Sequence, residues 1–439
     1  MQNSNLTTEE LQFSRELLQF INESPSPFHT VESIRKILEP SGFTNLNPED
    51  KWSLTPGGKY FVTRNNSAII AFVVGSGEPE TYGFHLIGAH TDSPSFRVKP
   101  QAEILQEGYL KLNVETYGGP ILNTWLDRPL SLAGRVILRG TSPFCPQSKL
   151  FRSERPLLVI PNLAIHMNRK VNEGIELNKQ KDLLPLMTQI RAGLQKEGVL
   201  IEHLAETLEC SREDILDFDL FLYNTQEGCL VGLQEEFISS GRLDDLAMVH
   251  AGVAALTKAK MALPTQVLAC FDNEECGSTS KQGAASPFLA NVLSRILLAQ
   301  EKGQEAYFQA TARSFFISAD MAHALHPNSG EKHDPTHHPA LNGGPVIKYS
   351  ANQSYTTDAE SAAVFIALCQ SAGVAIQKFV NRSDERGGST IGPISSTHLD
   401  WRSVDIGNPI LAMHSVRELG GVKDHLAIAK VFTKFYETP

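Results

Sequence analysis

Four apolar runs in this chain each end in a side chain that can hold a metal ion. Leu86-Ile-Gly-Ala-His90 ends in an imidazole, Val267-Leu-Ala-Cys-Phe-Asp-Asn-Glu-Glu275 in two adjacent carboxylates, Phe315-Phe-Ile-Ser-Ala-Asp320 in a third and Ile410-Leu-Ala-Met-His414 in a second imidazole. A short apolar run bounded by turn signals reads as a buried strand, and open α/β sheets gather ligands outside the carboxyl ends of their strands. One such ending is commonplace, whereas four in one chain point to residues that converge on one crevice. Gly241-Arg-Leu-Asp-Asp-Leu246 adds Asp244 and Asp245 where a helix begins.

The surrounding pattern is α/β. Thr7-Thr-Glu-Glu10 opens an amphipathic helix that Ser24-Pro-Ser-Pro27 breaks, a second helix runs from Thr30 to Leu38, and Lys59 to Val74 reads as two strands joined at Asn65-Asn66. From about Phe96 to Gln234 the texture changes to short β-rich pieces and a helix-like stretch, Leu183 to Leu208, without clustered ligand types. This segment reads as an insertion. Strands and helices alternate again afterwards: helix Leu246 to Lys258, helix Ala359 to Ala372, and strands Val267 to Phe271, Phe315 to Ser318, Val374 to Val380 and Pro409 to Met413.

Composition excludes several classes. A chain of 439 residues has room for two or three domains, and a net charge of −10 without long like-charge blocks argues against nucleic acid or an anionic membrane as partner. Six cysteines without C-x-x-C spacing read as reduced thiols, the N-terminus lacks the basic and apolar regions of a secretion signal, and no uncharged run approaches the ~18 residues of a membrane span. The expected location is the cytoplasm.

Imidazoles and carboxylates without thiolate suit zinc, manganese or cobalt in a catalytic site. The candidate set is His90, Asp244 or Asp245, Glu274 or Glu275, Asp320 and His414. If one aspartate bridges two ions and each ion takes one more carboxylate and one histidine, three negative charges face four positive ones, and a bridging hydroxide balances the remainder. If the chain is still extended at Glu274-Glu275, the two side chains point to opposite sides, one to a metal and the other to water as general base. Asp92 is placed to accept a hydrogen bond from the second nitrogen of His90. Bland readings exist for each: Asp244-Asp245 as helix caps, the glutamates as a solvated turn, and His203, His250 and His425 as partly exposed, hydrogen-bonded histidines. The histidine-rich Lys332-His-Asp-Pro-Thr-His-His-Pro339 reads as a loop.

The segments GAHTDSPSFRVKP, SGRLDDL, FDNEECGSTSKQGA, SADMAHALHPN, GGPVIKY, GGSTIGP and LAMHSVRE resemble those of the M18 metallopeptidases, the aspartyl aminopeptidase family. The resemblance implies a mixed-sheet α/β catalytic domain with a dinuclear zinc centre, formed by residues 1–94 plus 234–439, and an inserted β-rich dimerisation domain, residues 95–233. It implies that His90, Asp244 and Asp320 hold one metal, that Asp244, Glu275 and His414 hold the other, and that Glu274 is the general base. It further implies a substrate pocket with His323, Lys348 and Tyr355, the lysine suiting a substrate carboxylate, and an active-site histidine, His166, supplied to a neighbouring subunit of a dodecamer. Two departures stand out: Arg382-Ser-Asp-Glu-Arg386 replaces a cysteine-containing run, and Cys276 stands where valine is common. The expected activity is release of N-terminal residues, acidic or neutral, from peptides. The rivals are a deacylase of N-acylated amino acids, with the same centre but a blocked amine, and a non-catalytic scaffold.

Overall fold

Every residue of the strand Ala68–Val73 is buried, and its side chains enter two different cores: Ile69, Ala71 and Val73 on one face, Ala68, Ile70 and Phe72 on the other. The strand Thr265–Phe271 repeats the division, with Leu268 and Cys270 on the first side and Val267, Ala269 and Phe271 on the second. Strands apolar on both faces need cover on both. The computed structural model, which describes residues 6–190 and 198–439, supplies it. Helices Thr8–Glu23, Pro27–Leu38, Leu243–Lys258 and Val422–Glu437 feed the first core, and Phe288–Ala299, Gln304–Arg313 and Ile391–His398 the second.

The sheet between them is mixed and nine-stranded, in the order Thr44–Asn45, Lys59–Arg64, Ala68–Val73, Thr265–Phe271, Phe84–His90, Phe315–Ala319, Arg402–Gly407, Val346–Tyr349 and Gln377–Val380. Its centre decides function. Thr265–Phe271 and Phe315–Ala319 both run parallel to Phe84–His90, with Phe271 opposite His90 and Ser318 opposite Gly88. Their carboxyl ends therefore open on one edge. Two glycines allow the close packing: a Cβ on Gly88 would lie 2.5 Å from the Phe316 ring, and one on Gly407 would lie 1.8 Å from the Asp320 carbonyl oxygen.

The chain divides into two units. One runs to Asp92 and takes in Gly228–Met413 and Glu418–Pro439; besides the large sheet it holds a five-stranded sheet ordered Cys229–Val231, Phe237–Ser240, Glu418–Gly421, Pro409–Leu411 and Ala322–His323. The other comprises Ser93–Glu227 with His414–Arg417 and is built on a six-stranded antiparallel sheet: Gln147–Arg152, Leu130–Leu138, Ile215–Asn224, Ser95–Gln106, Tyr109–Tyr117 and Leu186–Gln189. Its own core gathers Phe96, Leu112, Leu132, Phe151 and Leu220.

Local signals behave as their chemistry requires. Thr7 Oγ1 accepts from the Glu10 N–H at 3.1 Å while Glu10 returns a carboxylate to the Thr7 N–H at 2.7 Å, closing a capping box. Pro27 occupies the first turn of its helix behind the cap Ser26. The stretch Leu183 to Leu208 is not one helix: it contains the strand Leu186–Gln189 and the helix Val199–Leu208, and residues 191–197 lie outside the described residues. Leu186–Gln189 is strand because it pairs with Tyr109–Tyr117, a non-local contact that apolar periodicity does not reveal. Val374 to Val380 shortens to Gln377–Val380, and Pro409 to Met413 to Pro409–Leu411. Among the described residues no helix is long and apolar enough to cross a membrane.

His250 and His425 are buried rather than partly exposed, with His250 Nδ1 2.9 Å from His425 Nε2. Burial, with Lys258 nearby, pulls the His250 pKa down to about 3. This sets a pH prediction. Above the ordinary value of about 6.5 the imidazole is neutral folded or unfolded; as pH falls toward 3, only the unfolded chain takes the proton, so stability is lost. Relative to a His250→Phe variant, the wild type is expected to lose about 1.4 kcal/mol per pH unit below pH 6.5. Paired urea titrations between pH 7.5 and 5 check it, and a constant difference between the two proteins refutes it.

Candidate metal centre

His90 is the last residue of its strand and 1% exposed. Its Nε2 lies 3.2 Å from Asp244 Oδ1 and 3.8 Å from Asp320 Oδ1. Its Nδ1 lies 3.0 Å from the Asp92 main-chain oxygen and 3.4 Å from the Asp92 carboxylate. Asp92 thus meets the expected nitrogen mainly through its backbone. The main-chain N–H of His90 donates to Asp245 Oδ2 at 3.0 Å.

Asp320 follows the strand Phe315–Ala319 directly, and its N–H donates to the Ile406 carbonyl on the neighbouring strand. Asp244 and Asp245 sit at the start of the helix Leu243–Lys258 with non-helical backbone, joined by a cis peptide bond. They do not cap the helix, since the cap position is Arg242 and no side chain closes it. The ligand atoms of His90, Asp244, Asp245 and Asp320 all lie within 4.8 Å of one another, and so do those of His90, Glu274 and Glu275.

The glutamate pair departs from the extended geometry. After Phe271 the backbone turns at Asn273, in the left-handed region at φ 62°, and Glu274–Cys276 forms a short 3-10 turn. Asn273 tolerates that conformation, and its side-chain oxygen accepts from Ser280 Oγ and Gln282 Nε2, both at 2.7 Å. Asp92 holds the turn from the other side: its Oδ1 accepts from the Glu274 N–H and its Oδ2 from the Glu275 N–H, each at 3.2 Å. The strand alternation that would send the two side chains to opposite faces is therefore absent. A carboxylate clamp on two successive amides sets them instead.

Electrostatics make the cluster distinctive. Burial pushes Glu274 up to about 8, with His90 opposing the rise and Asp320, Asp92 and Asp244 adding to it. Burial and Asp244 hold Glu275 well above the usual carboxylate range, and burial does the same for Asp245. Burial would lower His90, but Asp245, Asp244, Asp320 and Asp92 outweigh it and keep the imidazole well above its ordinary value. So many converging carboxylates in a low-dielectric site repel one another unless cations join them. Lys348 is one: it is buried, and its Nζ lies 3.4 Å from Asp320 Oδ2 and 3.1 Å from the Met321 carbonyl oxygen. One ammonium and one imidazole do not balance six acids, and a donor set of oxygen and nitrogen atoms fits divalent metal.

The remaining candidates fall around and beyond this cluster. Tyr355 is buried, with the Lys348 Nζ 5.3 Å from its ring centre. His323 belongs to the short strand Ala322–His323 and stacks edge-on against Phe379; burial, then Lys348, lowers its pKa. His414 follows Pro409–Leu411 by three residues, has φ 68°, counts with the second unit and has its Nδ1 3.1 Å from the Gly119 carbonyl oxygen. His166 is exposed on a turn of the second unit. In the histidine-rich loop His337 pairs with Asp334 at 2.8 Å, and His333 Nε2 accepts from the His326 N–H.

Glu418 and Asp405 escape a motif reading, and Asp245 stands there only as an alternative to Asp244. Glu418, the last residue of LAMHSVRE, is buried and accepts the Asp244 N–H at 3.1 Å. Asp245 braces the His90 backbone as described above. Asp405 is fully buried on the strand Arg402–Gly407 and accepts from the Thr356 N–H at 2.6 Å and from Thr390 Oγ1 at 2.6 Å, tying the Tyr355 loop to the sheet. A lone acid inside an apolar strand, as in Ser403-Val-Asp-Ile406, is the signal that marks Asp405 in the sequence.

A mixed sheet covered on both faces, with imidazole and carboxylates gathered at the ends of its parallel strands, defines a metal-dependent hydrolase. The profile of the family described as "Aminopeptidase I zinc metalloprotease (M18)" matches residues 20–436. A protein of Clostridium novyi (strain NT) named "Probable M18 family aminopeptidase 2" is 56% identical over 427 residues, covering 97% of this chain and 99% of its own. Among solved structures, a chain from "Cryo-EM structure of the Ape4 and Nbr1 complex" superposes with a TM-score of 0.94 at 37% identity, covering 98% of this chain and 87% of its own. The structure described as the S. cerevisiae mApe1 dodecamer does so with a TM-score of 0.84 at 26% identity, covering 98% and 97%. The chain belongs to the M18 family of zinc metalloaminopeptidases and is a hydrolase.

Proposed function

We propose that this protein releases single N-terminal residues, acidic ones by preference, from unblocked peptides at a centre of two divalent ions, zinc first and manganese or cobalt as alternatives. The observation that carries the reading is the convergence of buried Asp244, Asp245 and Asp320 with half-buried Glu274 and Glu275 on His90. In this reading His90, Asp244 and Asp320 would hold one ion, and Asp244, Glu275 and His414 the other. Bound there, the ions supply Lewis acidity for polarising the scissile carbonyl and activating water.

The chain's own groups do the rest. Glu274 takes the proton of the attacking water and returns it to the leaving amine. Asp92, by gripping the two amides of the Glu274-Glu275 turn, keeps that carboxylate and its neighbour in register. A cavity of about 240 Å³ is lined by His323, His326, Lys332 and Arg382; Lys332 and Arg382 are paired at 2.7 Å with Glu385 and Asp384, and an acidic side chain would be the fit that competes for them. Lys348, 3.4 Å from Asp320 Oδ2, and Tyr355, whose ring centre lies 5.3 Å from the Lys348 ammonium, would join His323 in holding the substrate, the lysine as partner of a substrate carboxylate.

His166 stands on an exposed turn between Leu163, 54% exposed, and Met167, 69% exposed. Such apolar surface beside a histidine suits insertion into a neighbouring subunit, with residues 95–233 as the dimerisation domain of a dodecamer in the cytoplasm. The reading is tested by chelating the purified protein, adding back zinc, manganese or cobalt, and measuring residue release from Asp, Glu, Leu and Ala peptides with free and acetylated N-termini. Metal-dependent release from free termini, fastest with Asp or Glu, is expected. Release only from acetylated substrates would make the protein a deacylase, and silence with every metal a scaffold.

A further inference from the structure

Away from the metal centre, the same unit holds a cavity of about 340 Å³ bordered by helices Thr8–Glu23, Pro27–Leu38 and the second half of Leu243–Lys258. That volume falls within the ~300–1,000 Å³ of small-molecule sites. Phe13, Phe20, Ile37 and Val253 give it an apolar wall.

Of the polar side chains that line it, which include Ser33 and Thr257, the one packed against its aromatic rings is a histidine. His250 lines the cavity, is 6% exposed, and lies 4.9 Å from the Phe13 ring and 5.6 Å from the Phe20 ring, centre to centre. Its Nδ1 is committed to His425 Nε2, and the other His425 nitrogen, Nδ1, is buried without a hydrogen-bond partner. Both rings are neutral, because burial lowers both pKa values. A buried N–H without an acceptor is rarer in proteins than a buried acceptor without a donor. The orphan His425 Nδ1 is therefore the lone pair, His425 Nε2–H donates to His250, and His250 carries its own proton on Nε2. The free edge of His250 is then a hydrogen-bond donor in an apolar wall.

The rim adds charge. Lys258 lines the cavity with its Nζ 5.6 Å from the Phe13 ring centre, and Lys36 stands on the same rim. Neither ammonium is in an ion pair among the described residues, whereas the rim acids Glu16 and Glu23 each accept from a neighbouring glutamine, at 3.0 and 3.1 Å. A donor and an unpaired cation beside apolar surface recognise an anion with an apolar body.

We propose that this cavity binds a small amphipathic carboxylate, its hydrocarbon body against Phe13, Phe20, Ile37 and Val253 and its carboxylate between His250 Nε2–H and the Lys258 ammonium. The site uses no residue of the metal centre.

The test is calorimetric titration of the full-length, metal-loaded protein with octanoate and, separately, with the uncharged 1-octanol. One saturable octanoate site is expected, with octanol at least tenfold weaker. Lys258→Met is expected to bring octanoate down to the octanol level, and Ala254→Phe, which fills the cavity, to abolish binding of both while peptide release shows that the variant is folded. Absence of saturable octanoate binding, equal affinity for octanol, or binding unchanged in Ala254→Phe would each overturn the proposal.

Discussion

Glu274→Gln is expected to keep its metal and its fold while kcat falls by about 10²- to 10⁴-fold, the contribution typical of a positioned general base. Glutamine has nearly the same shape, and the Glu274 N–H stays gripped by Asp92, so the turn has no reason to move. What disappears is the basic oxygen. The measurement pairs steady-state kinetics on the best peptide with metal content by elemental analysis. A rate near wild type removes Glu274 from the chemistry, and a drop in bound metal makes it a ligand instead.

Asp244→Asn is expected to have the opposite signature, loss of metal and of activity together. Asp244 Oδ1 is 3.2 Å from His90 Nε2, its side chain is almost wholly buried, and its own N–H is fixed by Glu418. The amide keeps the shape but removes one of the charges that a cation offsets. A ligand that binds only the folded state stabilises it by about 4 kcal/mol at a thousandfold excess over Kd, so adding metal to the chelated wild type raises its Tm. In Asp244→Asn that rise should vanish, while the chelated form stays at least as stable as chelated wild type because a repulsive charge has gone. A full metal-induced rise in the variant would exclude Asp244 from the ligand set.

Much of this was legible in the primary structure, and the reason is geometric. His90 and Asp320 could be read because they end apolar strands whose only stable place is the middle of a sheet covered on both faces. The strand ends then do the gathering. Glu274 and Glu275 could be named as acids of the site, yet their setting could not be foreseen, since it depends on a left-handed Asn273 and on Asp92, far away in the chain. Glu418 stayed hidden, and the part played by Asp245 could not be told from that of Asp244, for a related reason: each acts on a main-chain N–H of another site residue, and backbone partners leave no mark in residue spacing. The stretch 183–208 failed differently. Its apolar residues fit a helix, but part of it is a strand chosen by an edge elsewhere in the fold.

The wide separation of the gathered strands also has a consequence in time. At about 5–20 residues per second, the ribosome needs roughly 10 to 50 s between releasing His90 and releasing Asp320, and the Ser93–Glu227 segment of the second unit is made in the interval. For most of that delay, until Asp244 and Asp245 emerge, His90 has none of its later partners in the cluster to share an ion with. Small zinc domains fold around their metal because the ligands are neighbours in the chain. Here the residues of the cluster meet only when the central sheet is complete, so metal is expected to bind late, to a chain already folded, and to add to its stability.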